Sequence, residues 1–339
     1  MLELLKELCT INGISGHEDK VRDYIIEQIK GLCEYRIDNL GNLICFKKGK
    51  STPKNKVMLS AHMDEVGFVV NFINKDGTLK ISSVGGVDSR VVFGRQVLVG
   101  EKQLVGVIGS KAVHNLTTDE KEVAIKFENL YVDIGAKSKE EAESLVTLGE
   151  PVVFKSDFLD FGDGCIKSKA IDDRLGCAVL IKLIKPDLEY DTYFTFVVQE
   201  EIGLRGARTA AFSVEPDVAI VIESTTAADI PEVSAEKRVC QLNKGAVIGF
   251  MDKSTIYNKE LYNLAFQTAK ENNIPCQTKT MIAGGNDSGA IHISRGGVKT
   301  IAISVPCRYL HSASCVIYKT DFKAVSDLAE ALLQKVYDL

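Results

Sequence analysis

The chain has 339 residues, of which 45% are hydrophobic and 26% charged, a length that suits one large domain or a large domain with a smaller one. Composition this close to the globular average, with only 7 prolines, excludes a disordered or fibrous chain. The net charge of -5, with Lys and Arg interleaved among acids, offers no electrostatic footprint for nucleic acid, so no nucleic-acid partner is expected.

The first residues, Met1-Leu2-Glu3-Leu4-Leu5-Lys6-Glu7-Leu8, carry acids inside their apolar pattern, unlike a signal peptide. No run approaches the roughly 18 apolar residues of a membrane span, and a cytoplasmic protein with no membrane partner is expected. The 9 cysteines are scattered and contain no Cys-x-x-Cys pair, which argues against both a disulfide framework and a thiolate zinc site.

In chain order, apolar residues three and four apart predict amphipathic helices over 2–9 and 18–30, joined across Asn12-Gly13-Ile14-Ser15-Gly16. Strands are predicted at Tyr35–Asp38, at Leu43–Phe46 and over Val57-Met58-Leu59-Ser60-Ala61, the last ending in His62. Residues 67–153 read differently. Phe68–Ile73 and Thr78–Ile81 flank Lys75-Asp76-Gly77 as a hairpin, and Val91-Val92-Phe93 and Gln96–Val99 read as further strands. This stretch is predicted as a small β-rich domain inserted into a larger one made of 1–66 and 154–339.

From Gly162 onward helix and strand alternate: helices near 173–183, 205–212, 259–271 and 321–337, the last with Thr320 as N-cap, and strands at 192–199, 218–222 and 300–305. Alternation of this kind predicts an α/β layered fold whose catalytic groups gather at the carboxyl ends of strands.

Those strand tips carry the chemistry. His62 and Asp64 share a face of an extended chain, so the acid can orient the imidazole and leave its other nitrogen for a metal; a surface histidine beside an acid is the plainer reading. Asp172-Asp173 opens a helix, where for one of the two a complement to the helix dipole is account enough. Glu200-Glu201 follows the uninterrupted run Tyr193–Val198, and two adjacent acids there repel unless a cation stands between them. Strict strand alternation would send them to opposite faces, so a joint role requires the chain to leave strand geometry, which Gly203 permits. Glu223 follows Val218–Ile222, and His311 follows Pro306–Leu310. Histidines and carboxylates without cysteine suit Zn²⁺, Co²⁺ or Mn²⁺, and a bridging carboxylate with two ligand pairs would hold two such ions, leaving one acid free as a base.

Four segments, Ala61-His62-Met63-Asp64-Glu65-Val66-Gly67, Ala170-Ile171-Asp172-Asp173-Arg174-Leu175-Gly176, Gln199-Glu200-Glu201-Ile202-Gly203-Leu204-Arg205-Gly206-Ala207 and Arg308-Tyr309-Leu310-His311-Ser312, together resemble the TET-type dinuclear metallo-aminopeptidases of clan MH. That family includes glutamyl aminopeptidases and proteins labelled cellulase M. The resemblance implies a phosphorylase/hydrolase-like catalytic domain, a mixed sheet flanked by helices, with an inserted PDZ-like dimerisation domain, and assembly of dimers into a tetrahedral dodecamer. It implies two divalent ions, Zn or Co before Mn, with His62 and Glu223 on one, Glu201 and His311 on the other and Asp172 bridging. Glu200 would be the general base, Asp64 would orient His62, and the substrates would be peptides. The family more often has aspartate where Glu223 stands. Gly284-Gly285-Asn286-Asp287-Ser288-Gly289 resembles a family loop near the substrate, whereas His17, His114 and His292 are expected to be structural.

Two rivals stand beside this reading. A glycosidase needs carboxylates separated across a sugar, and Trp, the usual sugar platform, is absent. A non-catalytic scaffold of the same fold would lack a ligand or the base.

Overall fold

The run Val57–His62 is buried at every position, which a strand achieves only in the interior of a sheet covered on both faces. This computed structural model describes residues 1–337 and 339. Strands in chain order are β1 (Glu34–Ile37), β2 (Leu43–Lys47) and β3 (Val57–His62); then β4 (Gly67–Ile73), β5 (Leu79–Val84), β6 (Gln96–Val99), β7 (Leu104–Gly109), β8 (Tyr131–Asp133) and β9 (Pro151–Phe154). They continue as β10 (Leu159–Phe161), β11 (Cys165–Ser168), β12 (Thr192–Val197), β13 (Val218–Thr226), β14 (Ala246–Ile248), β15 (Cys276–Thr278), β16 (Lys299–Cys307) and β17 (Cys315–Tyr318).

Eight of them form a mixed sheet in the order β1-β2-β12-β3-β13-β16-β14-β15. Its centre is parallel: β12 and β13 flank β3, and β16 flanks β13. The helix Ile171–Ile184, buried along almost its whole length, packs against this sheet with the amphipathic helices Leu2–Thr10 and Lys319–Val336. The result is an α/β body. Strands β4 to β9 close on themselves as a separate six-stranded barrel in the order β4-β5-β8-β7-β6-β9, with its own core around Phe68, Val97, Val132 and Phe154. Gly67 makes the junction: a Cβ there would lie 2.4 Å from Ile14 Cγ2 and 2.9 Å from Val152 O, so only glycine lets β4 leave the body this closely. Among the described residues no helix is long and apolar enough to cross a membrane.

Three local expectations differ. Val91-Val92-Phe93 is not a strand: Asp88 accepts the Arg90 N–H at 2.9 Å and caps a 3₁₀ turn over Ser89–Val91, so local side-chain chemistry overrides β propensity. Thr320 does not cap the last helix, which begins at Lys319; its hydroxyl instead donates to Asn243 Oδ1 at 2.9 Å. The strand drawn to residue 199 stops at Val197, because Gln199 takes a left-handed backbone, φ +58°.

Candidate metal centre

Parallel pairing aligns Val197 of β12 with His62 of β3, so both strands end at one level, and Met63 N–H donates to Val197 O at 2.7 Å. Just beyond, the buried Asp64 carboxylate accepts the backbone N–H of Glu200 on Oδ1 at 3.0 Å, and on Oδ2 that of Glu201 at 3.1 Å with the Ser15 hydroxyl at 2.6 Å. The Glu18 carboxylate accepts the Gln199 N–H at 3.1 Å, fixing the left-handed residue that precedes the pair. The chain therefore leaves strand geometry at Gln199 rather than at Gly203. Glu200 and Glu201 both line one cleft of about 580 Å³. Gly206 seals this turn from behind, since a Cβ there would sit 2.3 Å from Val198 O.

Asp172 stands between the two histidines. Its Oδ1 lies 3.5 Å from His62 Nε2 and its Oδ2 lies 3.3 Å from His311 Nε2. Glu223 Oε1 is 3.5 Å from His62 Nε2, and Glu201 Oε2 is 3.3 Å from His311 Nε2. The other ring nitrogens are tied back to carbonyls: His62 Nδ1 to Asp64 O at 3.0 Å, and His311 Nδ1 to Gly86 O at 3.0 Å. Each imidazole thereby donates from Nδ1 and turns Nε2 to the cleft, the nitrogen that a bound cation would take in place of a proton. The hydrogen bond that orients His62 runs from its Nδ1–H to the carbonyl of Asp64, whose carboxylate stays 3.5 Å away and serves the Glu200-Glu201 turn. The longer arm of Glu223 folds back so that Oε1 accepts the Ser224 N–H at 3.1 Å, while Oε2 has no partner among the described residues.

Electrostatically the cluster is acid-rich. Burial pushes the Glu201 carboxyl up to about 8 and that of Glu223 up to about 7, and it lifts Glu200 well above the carboxylate range with Glu223, Asp287 and Glu201 adding to the effect. Burial opposes charging of His311, yet Asp172 and Glu201 outweigh it and raise the imidazole to about 10. His62 is likewise held well above the histidine range by Glu223, Asp172 and Asp64, against its burial. Asp172, flanked by both rings, is driven well below the carboxylate range although burial opposes this. Buried Asp172 Oδ1, Glu201 Oε1 and Glu223 Oε2 lack hydrogen-bond partners among the described residues. Ligand atoms of His62, Asp172 and Glu201 lie within 4.8 Å of one another, as do those of His62, Asp173 and Glu223. Orphaned carboxylate oxygens beside imidazole nitrogens fit hard-to-borderline divalent cations.

Several contributors escape sequence reasoning. Asp173 is the acid that holds the local structure, since its Oδ1 accepts the Gly176 N–H at 3.1 Å and its Oδ2 the His62 N–H at 3.3 Å, capping the helix and tethering β3. Asp287, in the glycine-rich loop, is fully buried, and neither of its oxygens has a partner among the described residues. An acid enclosed by small residues ahead of the apolar Gly289-Ala290-Ile291 is the signal that could have found it. Gly86 reaches His311 from the β5–β6 connection, a long-range contact with no local signature. Beneath the centre Lys169 Nζ donates to both oxygens of Glu65, at 2.6 and 2.8 Å, and Arg174 ties Met63, Leu8 and Gly13 carbonyls together. His292 Nδ1 lies 2.9 Å from Ser288 O, and His114 is exposed.

Comparison with known proteins gives a consistent picture. A family model described as M42 glutamyl aminopeptidase matches residues 41–328. The chain is 35% identical to a lysyl aminopeptidase of Pyrococcus furiosus, over 98% of this chain and 97% of the relative. Its structure is similar to that of the TET1 peptidase of Pyrococcus horikoshii, which can assemble into a tetrahedron or a large octahedral shell, with 36% identity, TM-score 0.86 and 98% coverage of both chains. It is also similar to an endoglucanase of Thermotoga maritima, with 38% identity, TM-score 0.81, and coverage of 98% of this chain and 97% of the other.

Proposed function

Because the chain belongs to the M42 glutamyl aminopeptidase family and is a peptide hydrolase, we propose that it is a dinuclear metallo-aminopeptidase that removes N-terminal residues from peptides. The observation that carries this reading is Asp172, one oxygen toward each imidazole, with Glu223 on the His62 side and Glu201 on the His311 side. His62 with Glu223 and His311 with Glu201 would hold one ion each, and Asp172 would bridge them. When bound, two divalent ions supply Lewis-acid polarisation of a carbonyl and lower the pKa of a shared water.

The remaining work falls to the chain itself. Glu200 lines the cleft beside this cluster and is not needed as a ligand in the assignment above, so it serves as the general base. It takes the proton of the attacking water and returns it to the leaving amine. Asp64, through the two backbone N–H groups it accepts, keeps Glu200 and Glu201 turned to one side. The acidic wall of the cleft also attracts the free α-ammonium of a peptide, which selects N-termini. By resemblance, the barrel is the PDZ-like dimerisation unit of a tetrahedral dodecamer.

A glycosidase fits less well, despite the endoglucanase among the similar structures. No Phe, Tyr or Trp is among the described residues that line the cleft, and its two foremost acids are sequence neighbours. The test is a panel of aminoacyl chromogenic substrates assayed before chelation, after it, and after re-addition of Zn²⁺, Co²⁺ or Mn²⁺. Peptidase activity lost to the chelator and restored by an ion is expected. Activity that survives chelation, or cleavage of glycosides alone, contradicts the reading.

A further inference from the structure

The pairing of β12 stops at Val197, yet the next four backbone N–H groups all have acceptors, and each acceptor is a side chain. Asn42 Oδ1, from the turn before β2, takes the Val198 N–H at 3.0 Å. Glu18 Oε1 takes that of Gln199 at 3.1 Å, and Asp64 takes those of Glu200 and Glu201. The carbonyls of the same stretch bind the start of the next helix, Arg205–Val214. Val198 O accepts the Gly206 N–H at 3.0 Å, Gln199 O that of Arg205 at 3.2 Å and Glu200 O that of Leu204 at 2.9 Å. The turn that presents both acids is therefore held from three separate parts of the chain.

Asn42 and Asp64 adjoin β2 and β3, which both pair with β12, so the sheet itself brings them there. Glu18 comes from outside the sheet, at the N-cap of the helix Asp19–Gln28. An acid in that place ordinarily accepts an N–H from the first turn of its own helix, but Glu18 makes no such bond. Its Oε1 instead collects the Gly16 N–H at 2.9 Å together with that of Gln199. Gly16 has φ +87°, a left-handed backbone that glycine adopts freely. The adjacent Ser15 hydroxyl donates to Asp64 Oδ2 at 2.6 Å, so residues 15–18 reach both carboxylates that hold the turn. Burial and the Asp64 carboxylate push Glu18 up to about 7, although backbone N–H groups oppose this. A group partly neutral near pH 7 is a poor fixed charge, whereas its carbonyl oxygen accepts in either state.

We propose that Glu18 is a positioning residue for the reaction: it holds Gln199 left-handed, which aims Glu200 into the cleft, and turnover depends on its acceptor oxygen rather than its charge. This rests on the aminopeptidase reading above, with Glu200 as the base. Left-handed backbone is disfavoured for glutamine, so Gln199 needs a partner that rewards it. An extended Gln199 would continue the strand and send Glu200 and Glu201 to opposite faces.

The experiment compares Glu18→Gln, Glu18→Asp and Glu18→Leu with the parent, as ion-loaded full chains, on Leu-, Glu- and Lys-p-nitroanilide. Glutamine keeps the oxygen and loses the charge, aspartate keeps the charge and withdraws the oxygen by one methylene, and leucine has neither. On the best-cleaved substrate kcat is expected to fall at least about ten-fold in Glu18→Leu and Glu18→Asp, whereas Glu18→Gln stays within about three-fold of the parent. KM and bound metal stay unchanged. In the metal-free proteins, the amides of 198–201 exchange hydrogen faster in Glu18→Leu and Glu18→Asp than in Glu18→Gln or the parent. Parent-level kcat in Glu18→Leu or Glu18→Asp, a Glu18→Gln as slow as they are, a loss that follows KM or metal content, or equal exchange throughout overturns the inference. Each of these leaves the aminopeptidase reading intact, whereas no cleavage by the parent overturns both. Where Glu18→Leu fails to fold, the ranking of Glu18→Gln above Glu18→Asp, the reverse of what a charge role requires, remains the test.

Discussion

Asp64 Oδ1 accepts the backbone N–H of Glu200 at 3.0 Å, so a carboxylate at the tip of one strand sets the direction of the acid at the tip of the next. Its second oxygen does the same for Glu201. Asp64→Asn turns one of these acceptors into a donor that faces an N–H. The expected outcome is a loss of kcat/KM on the order of 10²-fold, because small misplacements of catalytic groups have effects of that size. Stability should fall by about 1–3 kcal/mol from the unpaired buried groups. Steady-state kinetics with a thermal melt checks both, and wild-type turnover would show that Asp64 does not hold the pair.

The ion pair beneath the centre makes a separate prediction. Glu65 and Lys169 are both buried, at 2.6 Å, and Glu65 also accepts the Gly13 N–H at 3.1 Å. Lys169→Met removes the nearer of the two cations beside Glu65, the Arg174 guanidinium remaining at 3.6 Å, and should cost up to about 3 kcal/mol in denaturant unfolding. Glu65→Gln combined with Lys169→Met should recover part of that loss, since the pair is then removed together. A single variant as stable as the parent would contradict the account.

A pH dependence follows from Asp229. Burial pushes its carboxyl up, but the two-pronged Arg308 guanidinium, at 2.7 and 2.9 Å, and the Leu242 N–H outweigh burial and hold it below the usual range. A carboxyl depressed by folding contributes stability above its unfolded pKa, about 3.9, and that contribution disappears as pH falls through the lower folded value. Asp229→Asn should therefore melt below the parent at pH 7, and the gap should close as pH drops below about 4. A gap that widens in acid would reverse the sign and refute the pairing.

How much the sequence reveals depends on particular residues. His62, Asp172, Glu201, Glu223 and His311 could be read because each follows an apolar run or opens a helix, and a polar side chain in such a place has few structural reasons to be there. The α/β layering is legible through the alternation of helix and strand, whereas the parallel pairing at the centre of the sheet comes from the structure. What could not be read depends on contacts distant in sequence: the Gly86 carbonyl that orients His311, the Glu18 carboxylate that fixes Gln199, and the Asp173 tether to His62. The strand break at Gln199 was hidden because nothing in a glutamine announces a left-handed backbone. The turn at Ser89–Val91 was missed because β-branched residues suggest a strand, while one aspartate decides otherwise.

In the mechanism we propose, two adjacent acids divide the labour at the centre, Glu201 for the ion and Glu200 for the proton. Glu200→Gln keeps shape and hydrogen-bonding atoms but removes the base. The decisive measurement is kcat of this variant together with its bound metal content. Unchanged metal per subunit and turnover lower by roughly 10²–10⁴-fold are predicted, whereas near-wild-type turnover would contradict the assignment of the base.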